Sequence, residues 1–242
     1  MKTVLITGAT SGIGKNLTEY LAQSTEYKPV IVARNEENLK ELSEKYSIKY
    51  IQYDLNDINN IPSIFTQLKE NQIELDGLVH CAGISPLMLV KENDIKTMLE
   101  TFNVNFFSFI ELAKGFVNFN TTNNNKSIVG ISSVAAKIAS YRQSVYGASK
   151  AALEEATKCM AKEFMQQGIR VNTIAPGVVN TEMLIKLQKE SVGLKEKLEK
   201  LYPLGIADPI YFSKMITYLL SDDSKYITGQ CIEMDSGFFT AK

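Results

Sequence analysis

Tyr146 and Lys150 stand four residues apart in Gln143-Ser144-Val145-Tyr146-Gly147-Ala148-Ser149-Lys150. On a helix that spacing puts both side chains on one face, a turn from each other. A free phenol titrates near about 10 and exchanges protons poorly at neutral pH. An ammonium beside it favours the phenolate and should draw the tyrosine toward the range of efficient general acid/base work. Both residues are common in helices, so the pair carries weight only where other stretches agree with it.

Two stretches do. Thr7-Gly8-Ala9-Thr10-Ser11-Gly12-Ile13-Gly14 follows an apolar run and opens a helical pattern. A phosphate needs a tight turn, close backbone approach and free N–H groups at a helix N-terminus, and glycines at 8, 12 and 14 allow all three. The spacing differs from the common Gly-x-Gly-x-x-Gly fingerprint but serves the same physics. The second stretch is Ile128-Val129-Gly130-Ile131-Ser132-Ser133. It places two hydroxyls at the C-terminal end of a buried strand, where open α/β sheets bind ligands. A serine there can hydrogen-bond a carbonyl oxygen as negative charge develops on it.

The elements that must position these groups alternate along the chain. Apolar runs predict strands over 2–7, 29–33, 48–53, 76–81, 126–132, 169–175 and 230–234. Helical patterns fall at 12–24, 36–46, 57–71, 93–118, 144–167, 181–200 and 208–220. Continuous Val/Ile/Leu strands separated by helices predict an α/β fold, a doubly wound sheet of about seven parallel strands with helices on both faces. No linker or internal repeat divides the 242 residues, so we expect a single domain over 1–242. Thr121 to Asn125 read as a polar loop.

In such a sheet the end of the second strand meets the adenosine ribose. A carboxylate there binds the 2′-hydroxyl of NAD, and an arginine accommodates the 2′-phosphate of NADP. The strand here ends in Ala33-Arg34, which favours NADP and leaves NAD possible. Asp54, followed by Leu55, ends the third strand and could accept from the adenine amino group. Ala82 and Gly83 end the fourth and let a ribose lie against backbone.

Composition excludes several classes. Hydrophobic residues make up 45% and the formal net charge is −1, which gives no electrostatic case for nucleic acid or an anionic membrane. No apolar run is long enough for a bilayer. A strand-like run almost at Met1 leaves no room for a signal or transit peptide. Cys81, Cys159 and Cys231 are scattered and predict reduced thiols in a cytoplasmic protein. With His80 the only histidine, a histidine metal site or a Ser-His triad is not expected.

With these pieces placed, the whole chain resembles the short-chain dehydrogenase/reductase family, nearest in look to the 3-oxoacyl-[acyl-carrier-protein] reductases. The matching motifs are Thr7-Gly8-x-x-x-Gly12-x-Gly14, His80-Cys81-Ala82-Gly83, Asn103-Val104-Asn105, Ser133 thirteen positions before Tyr146, Tyr146-x-x-x-Lys150, Pro176-Gly177 with Thr181 beyond, and the tail Asp235-Ser236-Gly237. The resemblance implies that Tyr146 exchanges a proton with the substrate oxygen and Ser133 orients that oxygen. Lys150 would bond the nicotinamide ribose and lower the tyrosine, and Asn105 would hold a water in the proton relay. It implies cofactor contacts at Gly8, Thr10, Ser11, Gly12, Ile13, Gly14, Arg34, Asp54, Leu55, Cys81, Ala82, Gly83, Tyr146, Lys150, Pro176, Gly177, Val179 and Thr181. It also implies a lid at about 180–205 and a homodimer or homotetramer built on the 93–118 and 144–167 helices.

The family has asparagines where His80 and Cys81 stand. Cys81 cannot repeat the amide hydrogen bonds, so a modest stability cost or another polar partner is expected. Ile206 stands where the acyl-carrier branch has arginine. The reading is an NADP(H)-dependent oxidoreductase that reduces a ketone or 3-oxoacyl carbonyl, the substrate being a small molecule or a carrier-bound acyl chain. The alternatives are an NAD-dependent sugar, polyol or small-alcohol dehydrogenase and, from another class, a dinucleotide-sensing protein without catalysis.

Overall fold

The computed structural model describes residues 1–119, 125–182, 184–185, 198, 200–202 and 204–238. Seven strands form one parallel sheet: β1 (Lys2–Thr7), β2 (Tyr27–Ala33), β3 (Lys49–Gln52), β4 (Gly77–His80), β5 (Lys126–Ile131), β6 (Ile169–Pro176) and β7 (Cys231–Met234). Their order is β3-β2-β1-β4-β5-β6-β7. The direction of winding reverses between β1 and β4, which opens a crevice at their C-terminal ends. Register pairs Thr7 with His80 and His80 with Gly130, so the ends of β1, β4 and β5 lie level.

The alternation along β1 divides the core. Leu5 faces a layer with Val30, Leu78 and Ile128, filled by Phe65, Phe109, Phe116, Leu153 and Met160. Val4 and Ile6 face the opposite layer, with Leu17, Leu21, Leu39, Phe212 and Ile216. The first layer is covered by α3 (Pro62–Glu70), α5 (Ser108–Phe119) and α6 (Ser144–Phe164), the second by α1 (Gly12–Ala22), α2 (Glu36–Tyr46) and α7 (Pro209–Leu220). Helices on both faces explain why the strands lack polar alternation.

The helix ends follow local chemistry. Asn35 caps α2 by accepting from Asn38 N at 2.9 Å, and Glu36 and Glu37 complement its N-terminal dipole. Pro62 starts α3 where its missing N–H costs nothing. The expected helix over 57–71 is therefore a short 3₁₀ turn at Ile58–Asn60 followed by α3.

The expected helix over 93–118 is not continuous. Asp94 caps α4 (Ile95–Phe102), then Asn103–Phe107 form a π-turn, and α5 follows. Ser108 N donates to Asn103 O, five residues back. Such an inserted residue often marks a functional position, and Asn105 sits at its centre. The helix expected over 181–200 lies mostly outside the described residues, as do Thr121 to Asn124. No described helix is long and apolar enough to cross a membrane.

Candidate active site

The glycine loop joins β1 to α1. Gly8 has φ +64° and Gly12 has φ +51°, both in the left-handed region. A methyl on Gly8 would lie 2.6 Å from Ala82 N, and one on Gly14 would lie 2.3 Å from Gly8 O. The backbones of β1, α1 and the β4 end thus meet without room for side chains. A cleft runs from this loop past the ends of β2, β3 and β4. Gly8, Thr10, Ser11, Arg34, Asp54, Leu55, Cys81, Ala82 and Gly83 line it, together with Asn35, Tyr53, Ile84 and Val104. Ile13 instead packs into the second core layer.

Asp54 stands just past β3, and its carboxylate accepts from Asn56 N at 3.0 Å in a turn while lining the cleft. Thr181 approaches the loop from the other side, its methyl 3.5 Å from where a Gly12 Cβ would lie. Beside it, Glu182 Oε2 accepts from Gly12 N at 3.1 Å. Pro176 ends β6, Gly177 N donates to Met234 O, and Val179 bridges to Ala207. Leu184, Leu198 and Tyr202 cluster with Val178, Ile206 and Phe238, apart from the two main core layers.

The four expected catalytic groups come from three parts of the fold, Asn105 from the π-turn, Ser133 from the end of β5, and Tyr146 and Lys150 from α6. A methyl on Gly83 would lie 3.3 Å from Lys150 Nζ and 3.4 Å from Asn105 Oδ1. Asn105 is fully buried and held on both sides of its amide. Oδ1 accepts from Ile84 N at 2.8 Å, and Nδ2 donates to Ile84 O at 3.0 Å and to Ser149 Oγ at 2.9 Å. Lys150 Nζ donates to Ile131 O at 2.7 Å. Ser133 is extended at the N-terminus of a 3₁₀ turn (Val134–Ala136), its Oγ accepting from Ala135 N at 3.2 Å.

The electrostatics correct one expectation. Burial raises the Tyr146 phenol above its ordinary value, and a hydrogen bond with the Ser133 side chain pulls it back down. Lys150 does not supply the lowering. Its Nζ lies 5.9 Å from the centre of the tyrosine ring and is turned to a main-chain carbonyl. Burial also brings the lysine itself down to about 8, which weakens it as a permanent cation.

His80 is a packing residue, and Cys81 both packs on the core and lines the cleft. His80 Nδ1 meets Thr7 Oγ1 at 2.9 Å and its ring lies against Phe109. Its Nε2 faces the backbone of Val104 and Asn105 without reaching hydrogen-bond geometry. Burial first, and the Lys150 charge second, push this histidine down to about 3, so it is neutral. Burial pushes the Cys81 thiol up to about 12, and its side chain packs into the second core layer. Among the described residues no group of histidines, cysteines and carboxylates could hold a metal ion.

The supports of Asn105, namely Ser149 and the main chain of Ile84, had no signature in the sequence. The Glu182 contact had none either, because it joins residues 170 positions apart.

A glycine loop at a strand-helix turn, a crevice where the winding reverses, and a Tyr-Lys-Ser-Asn group beside it are the arrangement of a dinucleotide oxidoreductase. A family model described as enoyl-(acyl carrier protein) reductase matches residues 8–239. The chain belongs to the short-chain dehydrogenase/reductase family, oxidoreductases that act on alcohols and carbonyls with NAD(P).

It is 35% identical over 244 residues to the 3-oxoacyl-[acyl-carrier-protein] reductase of Thermotoga maritima, covering 98% of this chain and 97% of that one. It is 32% identical over 238 residues to carbonyl reductase family member 4 of Xenopus laevis, at 98% and 97% coverage. Among solved structures, 4-hydroxyisoleucine dehydrogenase complexed with NADH superposes with a TM-score of 0.94 at 30% identity over the full length of both chains. ElxO with NADP bound gives 0.90 at 28% identity, covering 99% of each.

The cleft fits a dinucleotide. Gly8 and Gly83 mark cradles that a Cβ would fill, and Gly12 presents an N–H that already serves a carboxylate.

Proposed function

We propose that the protein is an NADP(H)-dependent reductase of a ketone or 3-oxoacyl-type carbonyl, able to run in the alcohol-oxidising direction. The observation that carries this is the meeting of Lys150 and Asn105 at Gly83, with the Ser133 side chain beside the Tyr146 phenol.

The glycine loop with Thr10, Ser11, Ile13 and Thr181 would hold the pyrophosphate, and Arg34 the 2′-phosphate. Asp54 and Leu55 would hold the adenine. Cys81, Ala82 and Gly83, with Tyr146 and Lys150, would lie along the nicotinamide ribose, and Pro176, Gly177 and Val179 on the nicotinamide side. When bound, the nicotinamide supplies or accepts the hydride. Tyr146 then donates its proton to the substrate oxygen, and the Ser133 hydroxyl donates a hydrogen bond to the same oxygen as its charge grows. Burial keeps this phenol protonated before the reaction, and the Ser133 side chain works against the rise and so favours release of the proton. Lys150 donates toward a ribose hydroxyl, and Asn105 anchors the water that passes the proton on.

Substrate would lie against residues 86–88 and 138–142, which Met88 N→Arg142 O ties side by side at 3.0 Å into one wall. The segment at about 180–205 would close over it and exclude water. A groove between α5 and α6, lined by Ile110, Val117, Ala156, Cys159, Met160 and Phe164, is the face on which we expect a homodimer or homotetramer. Free cysteines at 81, 159 and 231 fit a cytoplasmic setting.

The test is a ketone panel that includes ethyl acetoacetate and acetoacetyl-coenzyme A, read by NADPH oxidation beside NADH. Turnover that needs NADPH supports the proposal. Equal use of both cofactors overturns the NADP preference. The second reading, an NAD-dependent dehydrogenase of a hydroxylated substrate, is favoured by the superposition on the NADH complex of 4-hydroxyisoleucine dehydrogenase. It predicts alcohol oxidation with NAD at alkaline pH.

A further inference from the structure

Tyr146 and Lys150 continue down α6 to a third polar residue at the same spacing, Glu154. It is only 8% exposed, and carboxylates are rarely buried so far unless they are paired. Its Oε1 accepts from Ser132 Oγ at 2.6 Å, both groups being buried. Its Oε2 lies 4.0 Å from Lys137 Nζ, and Lys137 also pairs with Glu233 of β7. The Cys231 thiol of β7 lies against this carboxylate and is pushed up to about 11, first by burial.

These contacts bracket the catalytic turn. Ile131 is tethered to α6 through its carbonyl by Lys150, and Ser132 through its hydroxyl by Glu154 one helical turn further. Ser133 comes next, and the 3₁₀ turn it starts ends at Lys137. A single carboxylate thus touches both ends of the 132–137 segment. An apolar residue at position 154 would leave the buried Ser132 hydroxyl without its acceptor, which costs stability. A role in placement is told apart from that cost by the rate, since misplacing a reacting group by about 1 Å costs roughly a hundredfold.

We propose that Glu154 is a positioning residue: it fixes Ser132 and Lys137 at the two ends of the turn that carries Ser133, and so sets where the Ser133 hydroxyl meets Tyr146 and the substrate oxygen. The inference rests on Ser133 having that role.

The experiment compares Glu154→Gln, Glu154→Leu, Ser132→Ala and the double variant Ser132→Ala/Glu154→Leu. It uses the full chain and the ketone found above, with kcat, KM, NADPH affinity and the melting temperature measured for each. Glu154→Gln keeps an acceptor for Ser132 and should retain kcat within about threefold. Glu154→Leu and Ser132→Ala should each lose about 10- to 100-fold in kcat, with KM and NADPH affinity within about twofold. The double variant should be no worse than the worse single one, because both remove the same tether.

A Glu154→Leu protein that folds with unchanged kcat overturns the proposal. So does a Gln variant as impaired as the Leu variant, or losses in kcat that add in the double variant. Should Glu154→Leu fail to fold, Ser132→Ala decides alone. Full activity in Ser133→Ala would instead sink the role of Ser133 itself.

Discussion

The two sides of the crevice are built from different materials. Around β1 and the start of α1 the site is backbone: Gly8, Gly12 and Gly14 remove side chains so that N–H groups and main chain can approach a ligand. Around β4, β5 and α6 it is side chain: Tyr146, Lys150, Ser133 and Asn105 line it, and Lys150, Ser133 and Asn105 are each held by a named partner. On the proposed function, the backbone side binds and should fail when atoms are added, and the side-chain side reacts and should fail when atoms are removed.

The largest expected effect tests the reacting side. Tyr146→Phe removes one oxygen, and turnover should fall by about a thousandfold or more, while dinucleotide affinity measured by calorimetry stays within about threefold. Equal losses in binding and turnover would erase the distinction. Next comes the backbone side. Gly14→Ala puts a methyl against Gly8 O, where no side chain can yield. It should cost about 2–4 kcal/mol in a denaturant melt and abolish dinucleotide binding. Gly12→Ala meets only the Thr181 methyl at 3.5 Å and should cost much less, mainly through its positive φ.

Lys150 sharpens the comparison through pH. Its folded value of about 8 lies below the ordinary 10.5, so between these values the unfolded chain binds more protons than the folded one. Its contribution to stability therefore rises with pH across that window, by up to about 1.4 kcal/mol per pH unit. Melts of the unaltered protein and Lys150→Met should diverge in that sense from pH 8 to 10, and parallel curves would refute the burial of its charge.

Arg34→Leu should weaken NADPH about tenfold and leave NADH unchanged. The smallest effect is expected at Glu182, which is exposed and offers a competing acceptor to Gly12 N. Glu182→Ala should tighten binding of ADP about two- to threefold and leave adenosine unchanged.

The same division governs what was legible. The glycine loop and the parallel sheet could be read because backbone needs impose residue types: glycine where Cβ cannot fit, Val and Ile where both faces are covered. Tyr146, Lys150 and Ser133 could be read because their chemistry is rare in combination. Glu154 could not, since a glutamate on a helix reads as solvated, and only the approach of Ser132 and β7 buries it. The π-turn was hidden because Phe102, Val104, Phe106 and Phe107 keep an apolar pattern through it. The Tyr146 ionisation was misjudged because spacing gives a shared face but not where Nζ points.

A π-turn carries one residue more than the helix around it requires. At Asn103–Phe107 that surplus is what lets α4 and α5 each keep their own packing while Asn105 faces inward. Shortening the chain by one residue there would heal the helix into a smoother rod and rotate everything beyond the cut by about 100°, a consequence of 3.6 residues per turn. The molecule therefore holds Asn105 against Ile84 and Ser149 by keeping a flaw that a better helix would lose.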